Sequence, residues 1–313
     1  MVLHILSHQM ISLYHKAKAT GISFFANIIA FLANICYNTI IERAWQPRTL
    51  IRGDGDLMTC GFQTNKFKFE YIESEIDHTV LWESHCHSSF EMIAVLKGDV
   101  SIMLEGRVYR LKENQQILIP PLSYHAITVG AGGTYRRVTA LFEGDAIPDV
   151  LRFKLGERDV GIAISSSSCA ETLRGLCQAS DPSFYAPLAH SLMIQLFYDA
   201  LLSPDRQTGM QADPFLQSAL SYIDDHLGDK ISLDELAAHT SRSKSSFCHL
   251  FEQKMNLSPK QYILQKKLAL ADKLLGEGTS PSATAARVGY ENYSDFYRMY
   301  KKHFGSSPTK KST

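Results

Sequence analysis

The sequence predicts an α+β multidomain chain, with a small β-barrel in its middle and an all-helical domain at its C-terminal end. Three observations carry this reading. From about Leu57 to Val150, short apolar runs alternate with polar residues and are parted by turn residues, the pattern of a sandwich or barrel. From Asp213 onward the apolar spacing becomes helical. Within that helical part a motif recurs: Phe247-x3-Phe251-x4-Asn256-x-Ser258-Pro259 returns as Phe296-x3-Tyr300-x4-Gly305-x-Ser307-Pro308, displaced by 49 residues (247 to 296).

Composition sets the limits. A length of 313 residues suits two domains, and 45% hydrophobic with 20% charged residues is material for packed cores rather than disorder. Formal net charge is zero, but its distribution is not even: Lys254 to Thr313 holds eleven Lys or Arg against four Asp or Glu. A basic end on an otherwise acidic chain suits contact with a polyanion. The six cysteines (36, 60, 86, 169, 177 and 248) form no C-x-x-C pair, so a zinc ribbon, a redox motif and a disulfide framework are all poorly supported. A reducing cytoplasm is the expected location.

Residues 1–56 form an N-terminal extension. Its segment 22–41 is apolar and uncharged, long enough to cross a hydrocarbon core of about 30 Å. Asn27, Asn34 and Asn38 are costly in lipid, and no small-residue cleavage pattern follows. A membrane anchor, a helix packed on the body and a start placed too far upstream, with Met58 as the internal alternative, all fit these residues.

The sensor region is expected over 57–202. Val100, Ile102 and Leu104 alternate with Ser101 and Met103, Glu105-Gly106 turns the chain, and Val108 resumes, which reads as a hairpin. Ile117-Leu118-Ile119 reads as a strand stopped by Pro120-Pro121. His85, His87 and Glu91 fall at odd positions, so one continuous strand would point them to the same face, and His125 could approach from another strand. Three imidazoles and a carboxylate suit a metal such as zinc or iron. The pattern His85-x-His87-x3-Glu91-x6-Gly98, then Pro120-x4-His125, resembles the two motifs of the cupin superfamily. It departs from them at Leu122, where glycine is usual, and at Val129, where asparagine is common. Regulatory cupins often keep such histidines without a metal, so the expectation is an inert or ligand-contacting polar cluster at His85, His87, Glu91 and His125, with no cofactor. Farther on, Leu188, Leu192, Met193, Leu196, Phe197, Ala200 and Leu201 share one helical face, which would cover the domain's own core or pair two protomers. Residues 203–212 are polar, contain Pro and Gly, and read as a linker.

The helical domain is expected over 213–313. Ser232-Leu-Asp-Glu235 is a capping box for a helix with Leu233, Leu236 and Ala237 on one face. Ser280 with Pro281 opens the equivalent helix of the second copy, with Ala283, Ala285 and Ala286 as its small residues. A short helix, a turn at Ser241 or Gly289, and a second helix from near Ser243 or Asn292 make a helix-turn-helix. Lys260 to Leu275 reads as the amphipathic connector between the two units.

These residues closely resemble the DNA-binding domain of the AraC/XylS family of transcription regulators, over about Asp213 to Lys310, with VGYENYSDFYRMYKKHFGSSP the more specific half. The sequence departs from the family at Ser241 and Asn256, where glycine is frequent, and at Lys267 and His249, where arginine is. The resemblance implies recognition helices at Ser243 to Phe251 and Asn292 to Tyr300. It places Ser243, Ser245, Ser246, Cys248 and His249 of the first, and Tyr293, Ser294, Tyr297 and Arg298 of the second, toward DNA, with Asp295 facing outward or capping. Arg298 is the candidate reader of a guanine edge, and Lys301 and Lys302 are phosphate neighbours. It implies sequence-specific binding to double-stranded promoter DNA by a homodimer, acting as an activator or a repressor, under a small-molecule effector such as a sugar, with RNA polymerase as a further partner and no enzymatic activity. The alternative is a metal-dependent cupin enzyme fused to a DNA-binding domain.

Overall fold

In the computed structural model of the protein, the described residues are 58–63, 67–81, 84–143, 162–164, scattered positions between 172 and 198, and 213–310. The extension 1–56 with its apolar segment and the linker 203–212 lie outside them. Among the described residues, no helix is long and apolar enough to cross a membrane.

The described strands form two antiparallel sheets. One has the order β1 (Met58–Gln63), β2 (Phe67–Ile76), β9 (Gly133–Phe142), β4 (Phe90–Lys97), β7 (Gln115–Ile119), β10 (Ile162–Ile164). The other has the order β3 (Val80–Leu81), β8 (His125–Val129), β5 (Val100–Leu104), β6 (Arg107–Leu111). Their facing sides bury one core, with Ile93, Ile117 and Tyr135 from the first sheet against Val100, Ile102 and Ile127 from the second. The expected hairpin is present. Leu104 pairs with Arg107, and Glu105 (φ 45°) and Gly106 (φ 72°) both take positive φ, as a two-residue type I′ turn requires. β7 ends at Ile119, as the following prolines predict.

The helical part comprises α1 (Pro214–Asp225), α2 (Leu233–His239), α3 (Lys244–Met255), α4 (Pro259–Gly276), α5 (Pro281–Arg287), α6 (Tyr293–Phe304) and a 3-10 turn, Pro308–Lys310. The caps follow the sequence. Ser232 and Glu235 form the capping box of α2, and Ser280 accepts from Ala283 N at the start of α5. Asn256 (φ 57°) and Gly305 (φ 70°) close α3 and α6 in the left-handed region. One expectation is corrected: the inward face of α5 is Thr284 and Ala285, followed by Val288, while Ala283 and Ala286 are exposed. A helix presents residues three and four apart on one face, and here 284, 285 and 288 meet the core rather than the alanine series.

The first unit, α2–α3, and the second, α5–α6, are joined by α4. Phe247, Phe251 and Tyr262 belong to one core, Leu268, Phe296 and Tyr300 to another. The first of these cores also takes in Cys86 and Tyr124 of the barrel. Barrel and first unit therefore share buried apolar contacts.

Candidate functional site

The second helix of each unit presents a polar face because its aromatics are turned inward. Phe247 and Phe251 are fully buried on α3, and Phe296 and Tyr300 are equally so on α6. What remains outward on α3 is Ser245, Ser246 and His249, all exposed, with Cys248 half-buried. Ser243 is the N-cap, its hydroxyl accepting from Ser246 N at 3.3 Å. On α6, Tyr293, Ser294, Asp295, Arg298, Lys301 and Lys302 are exposed and Tyr297 is half-buried. Asn292 caps α6 by accepting from Ser294 N at 2.8 Å, so the cap does not fall to Asp295. Instead Asp295 accepts from the Arg298 guanidinium one turn along. That exposed pair is weakly held and can open when another acceptor is offered.

The units are strapped together by Lys267. Its ammonium donates to Asp229 O at 2.6 Å, before α2, and to Val288 O at 2.9 Å, after α5. Burial lowers the pKa of this lysine. Gly289 (φ 74°) lies beside the strap, and a Cβ there would stand 2.6 Å from Asp229 O and 2.7 Å from Lys267 Nζ. Only glycine fits that turn.

On the barrel, His85, His87, Glu91 and His125 do converge: one ligand atom of each lies within 4.8 Å of the others. They do not lie on one continuous strand, however. Glu91 is on β4 and His125 opens β8, whereas His85 makes an isolated bridge to His125 and a bend at Ser88-Ser89 separates His87 from β4. The bend exists because its polar groups are engaged: Ser89 O meets His87 Nδ1 at 3.0 Å, and the Ser88 hydroxyl donates elsewhere. His87 Nε2 and His125 Nε2 each stand 2.9 Å from the same atom, Glu91 Oε2, His125 off the line of a hydrogen bond. Burial alone would raise the Glu91 carboxyl, but the His125 and His87 imidazoles hold it below the usual carboxylate range. Burial alone would lower His125, and Glu91 outweighs it.

Next to this cluster is a set of contacts that the sequence reading missed. Glu105, at the hairpin tip, accepts from Tyr262 OH at 2.6 Å, from Lys266 Nζ at 3.0 Å and from Tyr124 N at 2.8 Å. Lys266 also donates to Leu122 O at 2.7 Å and pairs with Asp224 at 2.8 Å. Burial alone would lower the Lys266 ammonium, and Glu105 and Asp224 keep it raised. Leu122 holds the left-handed conformation (φ 64°) that a glycine would take without strain, and its N–H donates to His87 O at 2.8 Å. Ser88 Oγ donates to Asp272 Oδ2 at 2.6 Å, and Tyr300 OH donates to Asp272 Oδ1 at 2.8 Å. The available signal was two lysines and an aspartate on the buried side of an otherwise amphipathic α4.

Comparison with known proteins agrees with both halves. A family model described as an AraC-like ligand binding domain matches residues 67–197, and one described as a helix-turn-helix domain matches residues 236–312. The uncharacterized HTH-type transcriptional regulator YdiP of Escherichia coli is 24% identical over 245 residues, covering 73% of this chain and 80% of that protein. The arabinose operon regulatory protein of Escherichia coli is 31% identical over 124 residues, covering 39% of this chain and 42% of that protein, so this chain spans less than half of it. Among solved structures, the DNA-binding domain of AdpA, the global transcriptional factor, in complex with a target DNA is 23% identical, covering 32% of this chain and 89% of that one at a TM-score of 0.30.

Proposed function

We propose that this chain, which belongs to the AraC family of transcription regulators, reads promoter DNA with the outward faces of α3 and α6 under the control of an effector bound to its barrel. The observation that carries the reading is the repeated arrangement of α3 and α6: two capped helices, each burying two aromatics and each leaving a polar face exposed. On α3 that face offers Ser243, Ser245, Ser246, Cys248 and His249. On α6 it offers Tyr293, Ser294, Tyr297 and Arg298, with Lys301 and Lys302 beside the phosphates. Arg298 is the guanine reader, since its fork matches O6 and N7 and its present partner, Asp295, is exposed.

The barrel supports effector control. Between the sheets Thr139 Oγ1 is buried and, among the described residues, has no hydrogen-bond partner, and such a group favours a small ligand that can satisfy it. A sugar is one class that would. The chain acts as a cytoplasmic homodimer that meets RNA polymerase at the promoter, with the apolar face expected over 187–202, most of which lies outside the described residues, as the pairing surface.

Selection of random duplex DNA on the full chain tests the core of this reading. One enriched motif, bound much more tightly than scrambled DNA, is expected; no enrichment would contradict it. A thermal-shift screen of sugars tests the effector, because a ligand of the folded state raises stability by mass action. The second reading, an enzyme, rests on the histidine–glutamate cluster alone. The contacts tying that cluster to α4 favour regulation, and substrate turnover by the purified chain would reverse the preference.

A further inference from the structure

The barrel grips the connector helix α4 at two points. A lysine ammonium has three N–H donors, and those of Lys266 have three acceptors. Glu105 Oε1 at 3.0 Å and Leu122 O at 2.7 Å belong to the barrel, and Asp224 Oδ1 at 2.8 Å belongs to α1. Six residues farther along α4, about 9 Å at 1.5 Å per residue, Asp272 accepts from Ser88 of the barrel and from Tyr300 of α6. Lys266, Asp272 and Ser88 are all buried. Apolar contact accompanies the grips: Cys86 and Tyr124 join the core of the first unit, and the Tyr124 ring meets Tyr262 edge-on, 5.3 Å between centroids. The hairpin tip is seated closely on α1, since a Cβ on Gly106 would stand 3.0 Å from Leu216 Cδ1. Apolar burial supplies adhesion with little direction, whereas an ammonium with three placed acceptors fixes one pose. The docked barrel also leaves the outward faces clear. Ser245, Ser246 and His249 on α3, and Ser294, Arg298 and Lys302 on α6, are exposed with the barrel in place.

We propose that the barrel is an internal clamp on α4: held through Lys266 and Asp272, it fixes how α3 and α6 stand to one another, and the clamped form is the one that binds DNA tightly. This deepens the reading of the chain as an effector-controlled DNA binder and rests on it. α4 is 18 residues long and carries one unit at each end, so any bend in it changes the spacing of the two outward faces. Lys267 ties the units to each other, while the barrel's grips hold α4 itself. Two recognition helices have to meet successive major grooves together. A clamp removes beforehand the freedom that binding would otherwise remove, so affinity for a two-part site rises. Leu122 links the clamp to the polar cluster. Its N–H donates to His87 O at 2.8 Å while its carbonyl holds Lys266. A molecule that shifts His87 therefore pulls on Lys266 through one residue, which gives an effector in the barrel a short path to the clamp.

The test uses the full chain and the DNA motif selected above, either intact or with the half under α6 scrambled. Glu105→Asn is the informative change. Asn-Gly suits the type I′ turn, so the hairpin is kept, while the shorter side chain no longer reaches Tyr262 and Lys266. It should weaken binding to the intact motif roughly fivefold or more, the low end of a coupling between two sites, and leave binding to the scrambled-half motif within about twofold. Amides of 262–272 should exchange faster in that chain. Ser88→Ala, at the other grip, should act in the same sense on both duplexes. Unchanged or tighter binding to the intact motif by either variant would overturn the proposal. Equal losses on the two duplexes would also overturn it, because they would mean a damaged unit rather than a lost relation between units. Failure of the unaltered chain to bind any DNA would instead overturn the reading of the chain as a DNA binder, and this proposal with it.

Discussion

The two helix-turn-helix units have the same plan and different surroundings. In the first, α3 buries Phe247 and Phe251 in a core that continues into the barrel through Cys86 and Tyr124. In the second, α6 buries Phe296 and Tyr300 in a core made by α4, α5 and α6, and Asp272, which accepts from both Ser88 and Tyr300, ties it to the barrel. Their outward faces differ in the opposite sense. The face on α3 carries serines, Cys248 and His249, while that on α6 carries Arg298 and the Lys301-Lys302 pair. On the proposed reading, the unit anchored more deeply offers DNA the weaker set of side chains. The proposed reading therefore gives the first unit the larger part in positioning and the second the larger part in reading.

The largest expected effect tests the anchoring. Phe247→Ala and Phe296→Ala each remove a fully buried ring, and each should cost about 3–5 kcal/mol of stability. Hydrogen exchange should distinguish them. Phe247→Ala is expected to loosen the barrel segment around Cys86 and Tyr124, whereas Phe296→Ala should loosen α5, α6 and the Ser88 bend and leave the rest of the barrel protected. Identical exchange patterns would erase the distinction between the units.

A smaller effect tests the reading faces. Arg298→Ala should weaken binding to the selected DNA by about 1–3 kcal/mol and relax the preference at one base pair. His249→Ala should cost less, measured by fluorescence anisotropy on the same duplex. A larger loss at His249 would reverse the division between the units.

The smallest effect concerns phosphate contact. Lys302→Ala should weaken all sequences alike and flatten the plot of log affinity against log salt by about one unit of slope. A sequence-selective loss would move Lys302 from positioning to reading.

Much of this was legible in the sequence, for identifiable reasons. Caps and turns are local, so Ser232, Ser280, Asn256 and Gly305 disclosed the helix ends, and Glu105-Gly106 disclosed the hairpin. The convergence of His85, His87, Glu91 and His125 was also visible, although the reasoning from one continuous strand was not how the fold achieves it. The bend at Ser88-Ser89 depends on a partner 184 residues away, Asp272, and no local pattern reports such a partner. The same holds for Glu105, which reads as a turn residue and in the fold receives Tyr262 and Lys266 of α4. Lys267 stands where the family has arginine, yet it works as a buried strap between backbone carbonyls. Contacts between domains were the hidden part because periodicity describes one element at a time.

The central claim is that one chain sets two unequal readers on one face of DNA. Hydroxyl-radical footprinting of the full chain on its selected duplex, repeated over a salt series, tests it most directly. Two protected patches about 34 Å apart are expected, and the patch under α6 should persist to the higher salt. A single patch, or two patches of which the one under α3 is the last to be lost, would contradict the account.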